Sequence, residues 1–311
     1  MKTILSSILA GSLLATLAVG QSSRSDVIEK NARQAAGHHE SAKRDLLVYV
    51  ITAGSQFGTV DLRTGVFVPI PVSPDLADLG IGDGLVQGPG RSMLSLAFSG
   101  DLDKIDPFTG EASRIGATGL ADCSAPGSYA PNCANYIGQL DGRFFATDFA
   151  QNLYSVDPRD GAAKLIGPTG IPPLTFAPFS ENPDGSVNVF GESLFGAHGK
   201  LYAYFHTLAV NFATGTSTSF PPGPAIYQID PATGQTTKIA SIDSSTLSII
   251  VNVNDSIYGF DGISGQVVTL DLETGHTKTV SVVHGAACEA GPPSCVIAGA
   301  TAAHPLGEAH H

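Results

Sequence analysis

Asp148, Glu192 and Asn254 have the side-chain types that a hard divalent cation or a hydrolytic centre needs. Carboxylate and amide oxygens suit calcium, which takes six to eight such ligands. No cofactor fingerprint is present, so no cofactor is expected, with calcium an ion these oxygens could serve. His198 and His206 add imidazoles, and Gln87, Gln139 and Asp255 add further polar groups. Asp148, Glu192 and Asp261 are also the carboxylates from which an acid and a nucleophile or base could be drawn for glycoside cleavage. Each group has a plainer reading as a turn residue or a satisfied channel polar. Asn254 also opens the sequon Asn254-Asp255-Ser256, and a glycan there would exclude it as a buried ligand.

Other chemistries leave no trace. The chain has no G-x-S-x-G, no H-E-x-x-H and no G-x-x-x-x-G-K-[ST]. Lys and Arg number 16 against 28 Asp and Glu, for a net charge of −12. With no basic run to neutralise phosphates, nucleic acid is not an expected partner. Only 14% of residues are charged, while Gly (36) and Pro (20) are abundant. That composition describes a turn-rich β protein and argues against coiled coil, collagen and disorder.

A repeat supplies the elements that would position these residues. The pattern reads TVDLRTG (59–65), KIDPFTG (104–110), SVDPRDG (155–161), QIDPATG (228–234) and TLDLETG (269–275), with successive aspartates 45, 51, 73 and 41 residues apart. A period of 40–50 in an all-β chain indicates a β-propeller. In each copy the Asp can accept from backbone N–H groups two or three positions on, and Gly supplies the positive φ at which the chain reverses. One carboxylate per blade cannot make a calcium cage, so these aspartates read as hairpin corners. Apolar runs precede the corners (46–52, 93–98, 143–149, 200–205, 256–260), and a further strand follows each. Inner strands lie before four of the runs, at 82–88, 136–142, 193–199 and 248–255. The first blade lacks one. The segment 295–300 carries strand character without a corner and is expected to complete that blade, closing the ring and removing its open edge. The count is therefore five blades over 46–305, with six as the alternative if 163–200 hides a degenerate one.

The best copies, LYSVDPRDGAAKLIG (153–167) and IYQIDPATGQTTKIA (226–240), resemble the secreted bacterial and fungal β-propeller proteins built on L-Y-x-(I/V)-D-P-x-T-G blades. The resemblance covers most of the chain. It implies the fold but not an activity, since many such proteins have none assigned. Absence of Trp removes the WD-repeat, quinoprotein and Asp-box versions of the fold.

The N-terminus reads as an address. A short basic start, an apolar stretch over 4–19 and small residues before Gln21 form a secretory signal at 1–20. Residues 21–45 read as a polar leader or propeptide ending in Lys43-Arg44, and 306–311 as a disordered tail. Two local disulfides, Cys123–Cys133 and Cys288–Cys295, suit an oxidising compartment. The expected location is extracellular, or periplasmic in a Gram-negative cell, with no membrane association after processing and a monomeric state.

These readings converge on a secreted, non-catalytic propeller that binds an extracellular ligand. Asp148, Glu192, His198, His206 and Asn254 would stand at the channel mouth, with Tyr129 and Phe212 on the long loops 120–135 and 208–224. Tyr136 and Phe220 are further aromatics of those loops. The alternative is a metal-dependent hydrolase of the lactonase type whose ligands are Glu192, Asn254 and Asp148.

Overall fold

The computed structural model describes residues 46–303 apart from 53, 74–80, 124–129, 174–179, 212–213, 215, 222, 245 and 286–295. Alternating apolar residues in short runs, each closed by a Gly- or Asp-containing turn, produce 21 strands and no helix among those residues. The strands form five antiparallel sheets, and the chain is a five-bladed β-propeller.

Blade two holds β4 (Ile81–Gln87), β5 (Met93–Ala97), β6 (Asp101–Ile105) and β7 (Ala112–Ala117), from the inside outwards. Blade three holds β8 (Ala134–Leu140), β9 (Arg143–Asp148), β10 (Asn152–Val156) and β11 (Ala163–Pro168). Blade four holds β12 (Val187–Ala197), β13 (Lys200–Asn211), β15 (Ala225–Ile229) and β16 (Thr236–Ser241), with β14 (Thr216–Ser219) added to the end of β13. Blade five holds β17 (Leu247–Val253), β18 (Ser256–Asp261), β19 (Gln266–Leu270) and β20 (Thr277–Val282).

Blade one is assembled from both ends of the chain. β1 (Leu47–Thr52), β2 (Phe57–Asp61) and β3 (Phe67–Pro69) take β21 (Ile297–Ala302) as their innermost strand, with Val48 opposite Ala302 and Val50 opposite Ala300. The orphan C-terminal strand therefore closes the ring. The interval 163–200, where the six-blade alternative would have placed a degenerate blade, contributes β11 and β12 to two of the five blades.

The five inner strands β21, β4, β8, β12 and β17 touch in a ring. Because strand side chains alternate between faces, each blade packs one set against the blade before it and one against the blade after it. Leu94, Leu96 and Leu102 of blade two meet Ile137, Phe144 and Ala146 of blade three in this way. Phe195, Tyr202 and Tyr204 of blade four meet Leu247, Ile250 and Ile257 of blade five. Side chains also stitch inner strand to inner strand. Ser193 Oγ donates to Ile250 O (3.0 Å), and Ser248 Oγ donates to Ile297 O (2.7 Å).

The five corners behave as their residue types require. Asp106 Oδ1 accepts from the N–H groups of Phe108 and Thr109, and Asp271 Oδ1 from those of Glu273 and Thr274. Gly110 closes its corner at φ 68°, with its N–H on Asp106 O. The corner has a second role that its composition does not reveal. A Cβ on Gly110 would lie 1.9 Å from Pro71 O, just past the outer strand of the preceding blade. Gly65, Gly161, Gly234 and Gly275 press in the same way on Val282, Gly116, Gly167 and Ser241, each in the outer strand of the blade before. Backbone bonds fasten these contacts: Ser73 N–H donates to Gly110 O (2.7 Å) and Ala112 N–H to Ser73 O (3.1 Å). The D-x-x-(T/D)-G repeat is thus both a hairpin turn and a clasp between blades.

Cys123 and Cys133 form a disulfide with Cα atoms 5.8 Å apart. The Cys288–Cys295 pairing, the signal segment, the leader and the tail fall outside the described residues.

Candidate functional site

The inner strands run in one sense along the ring. Their first residues define a leading end, and the turns into the second strands define a trailing end. Every connection between blades arrives at the leading end. Blade four also extends there, because β12 and β13 stay paired from Ala197–Lys200 out to Val187–Val210, and β14 caps the extension. The segment 208–224, expected to be a loop, therefore includes the end of β13 (to Asn211) and β14 (Thr216–Ser219). Tyr136, expected on a loop, lies in β8 and is buried in the core, because the inner strand of blade three starts at Ala134.

At this end sits Glu192, on β12 and fully buried. Its carboxylate receives three hydrogen bonds from blade three. Thr147 Oγ1 donates to Oε1 (2.7 Å), while Asn135 Nδ2 (2.5 Å) and Gln151 Nε2 (2.9 Å) both donate to Oε2. Local structure sets each donor. The disulfide pins the start of β8 two residues before Asn135. Thr147 is the penultimate residue of β9 and points to the same side as Phe145, towards blade four. Gln151 holds a left-handed conformation (φ 63°) in the β9–β10 turn, and its carbonyl accepts from both the N–H and the hydroxyl of Thr169. Phe190, two residues before Glu192 on β12, packs edge-on against Phe149, which itself lies against the disulfide.

No cation faces this carboxylate among the described residues; all three donors are neutral. Burial pushes the Glu192 carboxyl up to about 7, with the nearby charge of Asp148 adding to the rise and the three hydrogen bonds opposing it. Asn135 Oδ1 and Gln151 Oε1 are buried without a hydrogen-bond partner. Each amide spends its NH2 on the carboxylate and leaves its oxygen unanswered, and buried oxygens in that state are uncommon.

Asp148 follows Thr147 directly and so points to the other face of blade three. It is buried, and its oxygens accept from Asn152 N (2.8 Å), Asn152 Nδ2 (2.9 Å) and Tyr154 Oη (2.8 Å). Burial, reinforced by this bond and the Asp148 charge, raises the Tyr154 phenol to about 12. His206 lies at the leading end on β13, opposite Gly191, 3% exposed and with Nδ1 unpartnered. Burial holds its imidazole down at about 3, so it is neutral. It packs beside Tyr204 on the face towards blade five, away from Glu192.

His198, Asn254 and Asp255 sit at the trailing end, whereas Asp261, opposite Leu247 at the start of β17, lies at the leading end. His198 occupies the β12–β13 turn, and its Nε2 is 3.4 Å from Asp255 O. Asn254 and Asp255 form the exposed β17–β18 turn at φ 52° and 63°. Six strand positions separate Glu192 from His198, ~20 Å along the chain. Glu192, Asp148 and Asn254 therefore do not meet: a sheet divides the first two, and the length of the ring removes the third. Asp261, at the β18–β19 turn, is occupied by the N–H groups of Ile263 and Ser264 and the hydroxyl of Thr246. Gln87 ends β4 and Gln139 lies late in β8, both in the trailing half. Tyr129 and Phe212 lie outside the described residues.

Asn135, Thr147 and Gln151 escape a reading by residue type, because neutral polar residues in β strands are common. One signal does point to Thr147 and Gln151. In RFFATDFAQN an apolar strand gives way to Thr, Asp, Gln and Asn within six residues.

No protein-family profile matches the chain, and no curated protein matches it. Solved structures resemble it in fold. A chain in a nidogen/laminin complex is 12% identical, with a TM-score of 0.46, over 82% of this chain and 97% of that one. A protein of unknown function from Bacteroides thetaiotaomicron is 14% identical, with a TM-score of 0.40, over 77% and 58%. A catalytically inactive virginiamycin B lyase from Staphylococcus aureus, solved with quinupristin, is 12% identical, with a TM-score of 0.37, over 79% and 84%.

Proposed function

We propose that this chain is a secreted, non-catalytic β-propeller that binds an extracellular ligand at the leading end of its ring. The observation that carries the reading is Glu192. A carboxylate with no cationic partner, fully buried at the junction of two inner strands, costs stability, and a perturbed titratable group in that position is a mark of a functional site. Folding alone is served by apolar packing between blades, with serine stitches at the junctions of blades four and five and of blades five and one. Secretion is supported by the signal pattern at 1–20 and by the Cys123–Cys133 disulfide.

A binding role fits better than hydrolysis because the carboxylates are not deployed together. Asp148 is committed to its own blade, Asp261 to a turn, and Asn254 stands at the far end.

The test is a thermal-shift panel of mono- and disaccharides, short peptides and small carboxylic acids on the secreted chain, with γ-butyrolactone and δ-valerolactone hydrolysis followed in parallel. Stabilisation by a panel compound that Glu192→Gln removes, without lactone turnover, is the expected result. Lactone hydrolysis that Glu192→Gln abolishes would overturn the proposal.

A further inference from the structure

We propose that Glu192, Asn135, Thr147 and Gln151 form a calcium site, an assignment that rests on the reading of this end of the ring as the binding end. The four side chains come from β12, β8, β9 and the β9–β10 turn, and none is more than 2% exposed. The two unpartnered amide oxygens point to the ion. Asn135 and Gln151 each aim one half of a planar amide at the same oxygen, Glu192 Oε2, and each leaves its own oxygen buried and unanswered.

A half-turn of either amide exchanges its oxygen and nitrogen with almost no change of shape. After both half-turns, two amide oxygens, the Thr147 hydroxyl and the two carboxylate oxygens face one another. Without a cation that arrangement is repulsive; around one it supplies five oxygens from four side chains, leaving the remaining positions of a six- to eight-oxygen calcium shell to water. The atoms concerned stand 2.5–2.9 Å apart, close to the separation of about 3 Å between neighbouring oxygens in a shell of radius 2.3–2.6 Å.

The donor set selects the metal. Oxygen without thiolate or imidazole excludes the preferred surroundings of zinc and copper. Magnesium keeps several waters and demands an octahedral shell of shorter bonds, whereas calcium accepts an irregular set of neutral oxygens around a single carboxylate. One carboxylate places the affinity in the roughly 10⁻⁴–10⁻³ M class of extracellular modules. Such a site would answer the uncompensated charge of Glu192 only where calcium is plentiful, outside the cell.

The experiment uses the secreted full-length chain stripped with EGTA and melted with 10 mM CaCl2, with 10 mM MgCl2 or with neither. Calcium is expected to raise Tm by about 3–8 °C, and magnesium by much less. Glu192→Gln should remove the calcium shift. Gln151→Met, which keeps the shape but loses the oxygen, should weaken calcium binding at least tenfold by tyrosine-sensitised terbium displacement; it serves as the second variant if Glu192→Gln does not fold. No calcium shift in the wild type, or an equal shift in both variants, would overturn the site. The panel of sugars, peptides and acids is run without calcium. A panel compound that still needs Glu192 while calcium does nothing therefore removes the ion and keeps the binding role. A calcium shift with no panel compound bound removes the binding role and keeps the ion.

Discussion

Alanine at Gly110 tests whether the repeated corner is a clasp between blades or only a turn. Two costs are expected. The first is conformational: at φ 68° an alanine sits in the left-handed region, for about 1 kcal/mol. The second is steric. The new Cβ would lie 1.9 Å from Pro71 O, and real contacts essentially never fall below 3.0 Å. Both parties are backbone, so the corner and the preceding blade must part by more than an ångström. The bonds Ser73 N–H to Gly110 O and Ala112 N–H to Ser73 O are then lost or stretched, at about 1 kcal/mol each. The total is about 3–4 kcal/mol. Gly142→Ala is the control, because Gly142 has φ 73° but nothing within 4 Å of the added Cβ; it should cost only about 1 kcal/mol. Urea unfolding at a shared m-value reads the difference as a shift of the midpoint. If the two variants lie within about 0.5 kcal/mol of each other, the clasp contributes nothing and the repeat is a turn motif alone.

Three further outcomes follow from buried groups and the staple. Burial, with Asp101 adding and Arg114 opposing, raises the Asp103 carboxyl to about 7. The folded chain therefore keeps a proton that the unfolded chain releases, and stability falls as pH rises from about 4 through 7. Asp103→Asn should gain up to about 4 kcal/mol over the wild type at pH 8 and nothing at pH 4, and a Tm difference independent of pH would refute this. His206 titrates in the opposite sense. Its folded value of about 3 lies below its unfolded 6.5, so its stability is full above pH 6.5 and is lost as pH falls towards 3. His206→Leu should flatten the wild-type acid slope over that window by up to about 1.4 kcal/mol per pH unit, measured by urea unfolding, and an unchanged slope would remove His206 from the acid response. Replacing Cys123 and Cys133 together by serine should cost about 3 kcal/mol for so short a loop, and it should loosen Asn135 and the carboxylate network before the core. Faster amide exchange across the first residues of β8 than across β9 would show it, and uniform exchange would not.

Much of this architecture could be read from residues alone. Five D-x-x-(T/D)-G corners count five blades because an Asp accepting from the next N–H groups and a glycine at positive φ make the same hairpin wherever they occur. The orphan strand near the C-terminus had to find an open edge, and the first blade offered one. The Cys123–Cys133 spacing likewise anticipates its disulfide. These are local rules, written within a dozen residues. The site was not local. Its members are 57, 45 and 41 residues from Glu192 in sequence, and residue type flagged only Glu192. Asp148 and Asn254 had suitable chemistry, yet the pleat turns Asp148 to the far face of blade three, and the axial length of the ring carries Asn254 to its other end. Which side of a blade a residue faces depends on register, and register is fixed only once strands pair. Which polar groups gather around a buried carboxylate depends on which blades adjoin, and that is settled only when the ring closes.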